Sequence, residues 1–355
     1  MKFNKEKLII CSHNQFGYLT DTFQYCKLLK NKYDIIYICF DQNKEKINLD
    51  GIKNIYIKKN NNMILDYLNL NKNLIIESYK NKVNKIFLVY NPLSFICKFF
   101  LFKKKIILDI RTGSVEKNKS ARKKANRRIW INSLFFKEKT IISEGLANKL
   151  NIKKFEVLPL GAEKLKNENI ELNKKSIKLI YIGILSGRNI IQSIKGFEIF
   201  SEKYSDIDCE YNIIGFYNDN DNEEKYFFKS ISKNKKINYL GPKKHDEIYK
   251  YLNEANIGVS YIPITEYYNY QPPTKTYEYL MNGLITLATA TDENKKIIKS
   301  ENGVLCEDNA KSFSESLEKI YKNLESYDSK KIIKSVEKNT WQEIVKNILE
   351  PILER

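Results

Sequence analysis

Tyr261-Ile-Pro-Ile-Thr-Glu-Tyr-Tyr-Asn-Tyr-Gln-Pro-Pro-Thr-Lys-Thr-Tyr-Glu-Tyr-Leu-Met-Asn-Gly283, continued by Leu-Ile-Thr-Leu-Ala-Thr289, reads as a strand end, an aromatic loop, a helix and a second strand. Pro-Pro-Thr at 272–274 favours a helix start with Thr274 as its cap, and Gly283 ends the helix before the next apolar run. A helix N-terminus offers unpaired N–H groups and positive potential to an anion, and Lys275 adds a full charge there. Glu278, one turn further on, is spaced to face the same mouth and accept hydrogen bonds from hydroxyl groups. Lys275 and Glu278 also fit a plainer description, an i,i+3 ion pair on an exposed helix face; spacing alone does not separate the two.

Working outward, short apolar runs alternate with helical stretches, the pattern of α/β architecture. Strands are expected at 7–12, 35–40, 54–57, 85–90, 105–110, 140–143 and 156–158, then in a second series at 178–182, 209–214, 237–240, 257–261, 284–288 and 303–305. Helices are expected between them, among others at 20–31, 62–69, 74–82, 93–102, 190–204, 223–233, 245–253, 275–282 and 310–321. The charged stretch 163–176 separates the two series and reads as a linker. Two domains follow, 1–165 and 166–339, with a ligand cleft expected between them at the carboxyl ends of the strands. Residues 340–355 form an amphipathic helix (Trp341, Ile344, Val345, Ile348, Leu349, Ile352) expected to pack back on the first domain.

The 355 residues carry Lys+Arg 61 against Asp+Glu 43, a formal net charge of +18. The excess is one-sided: residues 1–165 hold 33 basic and 14 acidic side chains, whereas 166–355 hold 28 and 29. A composition bias acting on the whole chain does not produce that split, so the first half reads as a surface for an anionic partner. Residues 98–139 concentrate it, with 14 Lys+Arg against three acids. Within them, Leu93–Lys105 is aromatic and reads as a core helix; Lys117–Arg128 with Trp130 reads as a basic helix against an anionic membrane surface. No apolar run is long enough for a transmembrane helix, and the N-terminus lacks a signal-peptide pattern. Six scattered cysteines and only two histidines leave no zinc constellation and suggest buried, reduced thiols in a cytosolic protein.

The pattern Pro-x-Lys-x-x-Glu-Tyr-Leu-x-x-Gly from Pro273 to Gly283, followed by an apolar strand, resembles the donor-site helix of GT-B glycosyltransferases, in particular the retaining family four (glycosyl transferases group 1). Further landmarks recur in that family's order over nearly the whole chain: Leu158-Pro-Leu-Gly-Ala-Glu163, Tyr181-Ile-Gly-Ile-Leu-Ser-Gly-Arg188, Ile213-Ile-Gly215, Tyr239-Leu-Gly241, Glu254-Ala-Asn-Ile-Gly-Val-Ser260 and Glu301-Asn-Gly-Val-Leu305. The resemblance implies two Rossmann-like domains facing a cleft. It also implies transfer from a nucleotide-sugar, with no cofactor, no metal and no dedicated nucleophile. Arg188 and Lys275 would clamp the departing diphosphate and Glu278 would hold the ribose. Gly183, Gly215, Gly241, Tyr270, Gln271 and Thr274 would line the donor site. In the first domain, Asp109-Ile-Arg-Thr-Gly113 is similar to an Asp-x-Arg loop of some members; Arg111 would face the donor phosphate or acceptor, with Asp109 orienting it. His13 and Gly17 sit in the first loop, where they would line the cleft floor. The implied acceptor is a lipid-linked or cell-envelope glycan, handled by a peripheral protein at the cytoplasmic face of the membrane.

Two departures stand out. Many members show Glu-x7-Glu, but the position eight before Glu278 is Tyr270, so the first acidic sugar contact is either absent or replaced by Gln271 and backbone N–H groups. Lys195 also comes a turn later than the lysine that commonly follows the arginine of the first loop. Asp219-x-Asp221 mimics a metal-binding pair of another glycosyltransferase fold but reads as a solvated turn. A basic nucleic-acid-binding protein and a non-catalytic glycosyltransferase-like scaffold are the rival readings; the former has no nucleic-acid motif behind it.

Overall fold

A computed structural model describes residues 5–60, 62–164, 172–218, 223–232 and 234–355. It divides into two compact units, Met1–Leu160 with Trp341–Arg355, and Gly161–Thr340. The pair Asp219 and Asp221 lies outside the described residues, as does part of the expected linker. Among the described residues, no helix is long and apolar enough to cross a membrane.

The first unit holds strands β1 (Glu6–Cys11), β2 (Tyr33–Phe40), β3 (Ile52–Ile57), β4 (Lys85–Val89), β5 (Lys105–Ile110), β6 (Glu138–Ile141) and β7 (Glu156–Val157). They form one parallel sheet in the order β3-β2-β1-β4-β5-β6-β7. The second unit holds β8 (Ile177–Ile182), β9 (Cys209–Ile214), β10 (Ile237–Gly241), β11 (Ile257–Ser260), β12 (Ile285–Thr289) and β13 (Gly303–Cys306), also parallel, in the order β10-β9-β8-β11-β12-β13. Helices cover the sheet faces, which is why the central strands read as unbroken apolar runs. In each sheet the strand order reverses once, at β1/β4 and at β8/β11, and ligand sites form beyond the carboxyl ends at such reversals.

Several elements differ from the sequence expectation. Residues 62–82 form one helix, Met63–Lys80, rather than two. Its Asn-rich middle does not break it because Asn71 is buried and donates through Nδ2 to Leu93 O at 2.9 Å. The stretch 93–102 shrinks to Phe95–Phe100, and Phe99 and Phe100 are exposed rather than core. The terminal segment is an α-turn (Trp341–Ile344), a π-helical stretch (Val345–Leu349) and a last α-turn (Glu350–Glu354). Pro351 lacks an N–H and crowds the preceding turn, and the wider π stretch lies directly before it. Trp341, Ile344, Val345, Leu349, Ile352 and Leu353 complete the first unit's core around Leu8, Tyr25 and Tyr37. The second unit closes on itself through a parallel bridge between Ala162 and Thr340, with Ala162 N donating to Asn339 O at 2.9 Å.

Candidate functional site

In the second unit, β8 ends at Ile182, whose N–H donates to Tyr279 Oη at 2.9 Å. That bond docks the helix Thr274–Met281 against the strand end. The ring of Tyr279 fits only because Gly258 faces it; a Cβ there would lie 2.2 Å from Tyr279 Cγ. Gly183 and Gly215 follow β8 and β9 with positive φ, and a Cβ on Gly215 would lie 1.9 Å from Gly183 O. The two loops thus meet backbone to backbone. Gly241 ends β10, and its carbonyl accepts from Gly215 N at 3.2 Å. The helix is pinned from behind by a buried chain in which Thr276 Oγ1 lies 2.7 Å from Ser260 Oγ and donates to Asn294 Oδ1 at 2.9 Å.

Lys275 projects from the first turn of this helix. Its Nζ is buried, lies 3.7 Å from the Tyr181 ring centroid, and has no hydrogen-bond partner. Burial, reinforced by the nearby Arg188 and opposed by Glu278, holds the amine well below the usual lysine range. The guanidinium of Arg188 stacks on Tyr268, 4.6 Å from the ring centroid. The Lys275 amine, the Arg188 guanidinium and the helix N-terminus therefore converge beyond the end of β8, an arrangement suited to an anion. The expected cap is corrected: Pro273, in extended backbone, occupies the N-cap position without a side-chain bond, and Thr274 is the first helical residue. Proline's fixed φ and missing N–H set that boundary one residue early. Gln271 Nε2 donates to Tyr267 O at 2.6 Å, so the loop bearing Tyr270 and Gln271 is self-bonded.

Three residues that sequence reading passed over organise this loop. Tyr268 carries Arg188. Asp308 accepts from Tyr261 Oη at 2.7 Å, Asn189 Nδ2 at 3.1 Å and Ile264 N at 3.3 Å. Asn269 pairs with Asp292 through both its side-chain oxygen and its amide. Tyr268 and Asn269 lie in an aromatic loop after one strand and Asp308 in an acidic turn after another, with nothing in the sequence to say which ring meets which cation.

In the first unit, a cavity of about 270 Å³ lies beyond β1, β4 and β5, lined among others by His13, Tyr90, Arg111, Ser114 and Arg128. A second, of about 280 Å³, shares His13 and Tyr67 with it and adds Gln42, Lys59 and Asp66. Burial, then the charge of Lys59, lowers the His13 pKa, so the imidazole is neutral at pH 7. Its Nδ1 is buried without a partner. Arg111 lines the first cavity, but its charge is balanced within the unit: Nη2 is 2.5 Å from Asp21 Oδ2 and Nη1 donates to Leu158 O at 2.7 Å. Asp109 lies 3.7 Å from Arg111 and accepts from Thr140 Oγ1 at 2.7 Å. Complete burial pushes the Asp109 carboxyl up to about 6 despite that cation. Gly17 has φ +89° and takes the close approach of Ile47, whose Cδ1 would stand 2.3 Å from a Cβ.

Residues 163–338 match the family described as Glycosyl transferases group 1. This chain is a group 1 glycosyltransferase. No curated protein matches it by sequence. Solved structures share its fold over almost their full length. A glycosyltransferase from Rickettsia africae is 14% identical, covering 99% of each chain with a TM-score of 0.73. Sucrose-phosphate synthase from Thermosynechococcus elongatus is 12% identical over 98% of each chain, with a TM-score of 0.75. HepE of Anabaena, solved with UDP and glucose, is 10% identical over 99% of this chain and 100% of its own, with a TM-score of 0.73. The fold is GT-B, two parallel-sheet α/β units.

The matched segment contains the whole cluster of Gly183, Arg188, Gly215, Gly241, Tyr270, Gln271, Thr274, Lys275 and Glu278. His13, Gly17, Asp109 and Arg111 lie outside it, in the first unit. The glycosyltransferase thus carries its cationic cluster on the second unit, and the two cavities described above lie in the first.

Proposed function

We propose that this glycosyltransferase binds a nucleotide-sugar on its second unit and passes the sugar, with retention, to a lipid-linked or cell-envelope glycan held by its first unit. The observation that carries the reading is Lys275, a buried amine without a hydrogen-bond partner beside Arg188 at a helix N-terminus. A diphosphate there gives both cations a counter-charge, and charge that grows on the departing group is met by donors already in place. Glu278, one turn along the same helix, holds the ribose. The transfer runs without a metal, since the clamp supplies the positive charge. HepE with UDP and glucose, and the E. coli structure bound with UDP-2-fluoro glucose, make uridine nucleotides the first donors to try. The lipopolysaccharide outer core galactosyltransferase WaaB, 13% identical, supports a cell-envelope acceptor. The one-sided positive charge of the first unit, concentrated around Lys117–Arg128, supports a seat on an anionic membrane at its cytoplasmic face.

The test is a thermal-shift panel of nucleoside diphosphates and nucleotide-sugars, because a ligand that binds only the native state raises its melting temperature. A selective upward shift, and donor turnover that survives EDTA and falls about 10²–10³-fold in Lys275→Ala, is expected. No shift with any nucleotide, together with tight oligonucleotide binding, would sink the reading.

A further inference from the structure

The first unit exposes aromatic side chains where a folded domain ordinarily buries them. Phe99, Phe100 and Phe102 are 62%, 58% and 65% exposed, and Leu134 and Phe135 are 63% and 41% exposed. Two of them, Phe99 and Phe135, meet each other and the ring of Phe95. The Phe95 ring lies 6.3 Å from that of Phe99 and 5.5 Å from that of Phe135, and Phe99 lies 5.8 Å from Phe135. Phe95 N donates to Asn132 Oδ1 at 3.1 Å, which ties the helix Phe95–Phe100 to the end of the helix Lys119–Ser133. Tyr79, itself exposed, donates to Phe100 O at 2.6 Å and brings the end of the helix Met63–Lys80 to the same place.

The helix Lys119–Ser133 joins this patch to the positive charge. Lys124, Arg127, Ile131 and Leu134 follow one another at helical spacing and all four are exposed. One stripe therefore runs from cationic to apolar along its length, ending beside Phe99 and Phe135. Lys103, exposed next to Phe102, adds a cation at the apolar end. A nucleic-acid backbone satisfies the cations but leaves the leucine, isoleucine and phenylalanine side chains in water. A second copy of the chain buries the apolar side chains but sets one basic stripe against another. A bilayer with anionic headgroups satisfies both at once, taking the rings into its interface while the lysines and arginines stay at headgroup level.

We infer that Phe99, Phe100, Phe102, Leu134 and Phe135 insert into an anionic lipid surface, with Lys103, Lys124 and Arg127 contacting the headgroups around them. This rests on the reading of a membrane-borne acceptor and names the surface that meets the membrane. It reverses the expectation that Leu93–Lys105 is a core helix, and it shifts the contact from Lys117–Arg128 alone to the apolar end of that helix.

The experiment is co-sedimentation of the full chain with vesicles of phosphatidylcholine alone or with 30% phosphatidylglycerol, roughly as charged as a cytoplasmic leaflet. Wild type should pellet with the anionic vesicles and remain in solution with the neutral ones. Phe99→Ser/Phe102→Ser should bind at least tenfold less, with an unchanged melting temperature because both rings are exposed. Lys124→Glu/Arg127→Glu should lose a similar amount at low salt. Equal binding of wild type and the phenylalanine variant overturns the insertion, as does no preference for anionic vesicles. A concentration-dependent dimer that Phe102→Ser abolishes, without vesicle binding, assigns the patch to a second copy instead. Nucleoside-diphosphate thermal shifts on the same variants keep the two readings apart. They test the second unit's donor site, which the phenylalanine changes leave intact.

Discussion

At Lys275, burial and function pull in opposite directions. The amine is held against Tyr181 with no hydrogen-bond partner, so it weakens the resting fold while standing ready for an anion. Lys275→Met keeps the stem and removes the amine. It should stabilise the ligand-free protein by on the order of 1 kcal/mol while abolishing the nucleotide-induced thermal shift. The groups facing the amine are Arg188, Glu278 and the Tyr181 ring, and burial is the main depressor of its pKa. A bound diphosphate favours the charged form, so binding takes up a proton and affinity falls as pH rises toward the ordinary lysine range. Calorimetric titration in two buffers of different ionisation enthalpy reads that proton directly. Asp109 gives a pH signature of opposite origin. Its carboxyl ionises near pH 4 when unfolded and at about 6 when folded, so its contribution is full below pH 4 and is lost between pH 4 and 6. Asp109→Asn should therefore gain melting temperature relative to wild type as pH rises through that window. A difference that stays flat across it would mean Arg111 keeps the carboxyl ionised.

Among the elements, the terminal segment supplies six buried side chains to the first unit's core. Trp341 is buried, with its ring 6.0 Å from that of Tyr25. Trp341→Ala should cost about 3–5 kcal/mol, measured by denaturant unfolding, and unfold the first unit before the second. In the second unit, the loops after β8 and β9 touch through glycine backbone, so Gly215→Ala forces them apart. That change should lower stability by about 1–3 kcal/mol and remove the nucleotide-induced shift together, whereas Lys275→Met separates the two effects. Strand positions were legible in the sequence because strands buried on both faces have no choice but to be apolar. Short helices such as Glu144–Lys149 and Ser329–Lys334 were not, since six residues carry too little periodicity to register. The helix Met63–Lys80 reads as two in the sequence because Asn71 is carried through its middle by donating to the Leu93 carbonyl, a partner outside the helix.

Across the whole molecule, charge is shared out unequally. The net charge of +18 belongs to the first half of the chain, while the second half is close to neutral. Exposed lysines and arginines act through screened fields, whereas the Lys275 amine sits out of contact with solvent. Transfer to a bilayer-borne acceptor should therefore fall several-fold between 50 and 500 mM salt, while the thermal shift from a nucleoside diphosphate changes far less. Parallel loss of both with salt would place the nucleotide on the basic surface instead.

The two series of strands, the helix opening at the Pro-Pro-Thr stretch, the family resemblance and the one-sided charge are all legible in the order of the residues. Each of these follows from local composition or from spacing along the chain. That Lys275 is buried, that Arg111 is balanced by Asp21, and that Phe99 and Phe102 face solvent emerges only in the folded chain. Burial and pairing depend on residues far apart in sequence: Asp21 stands 90 positions from Arg111, and Tyr181 stands 94 from Lys275. A phenylalanine reads as core in any sequence, and whether a second element arrives to cover it is settled only when the chain has folded.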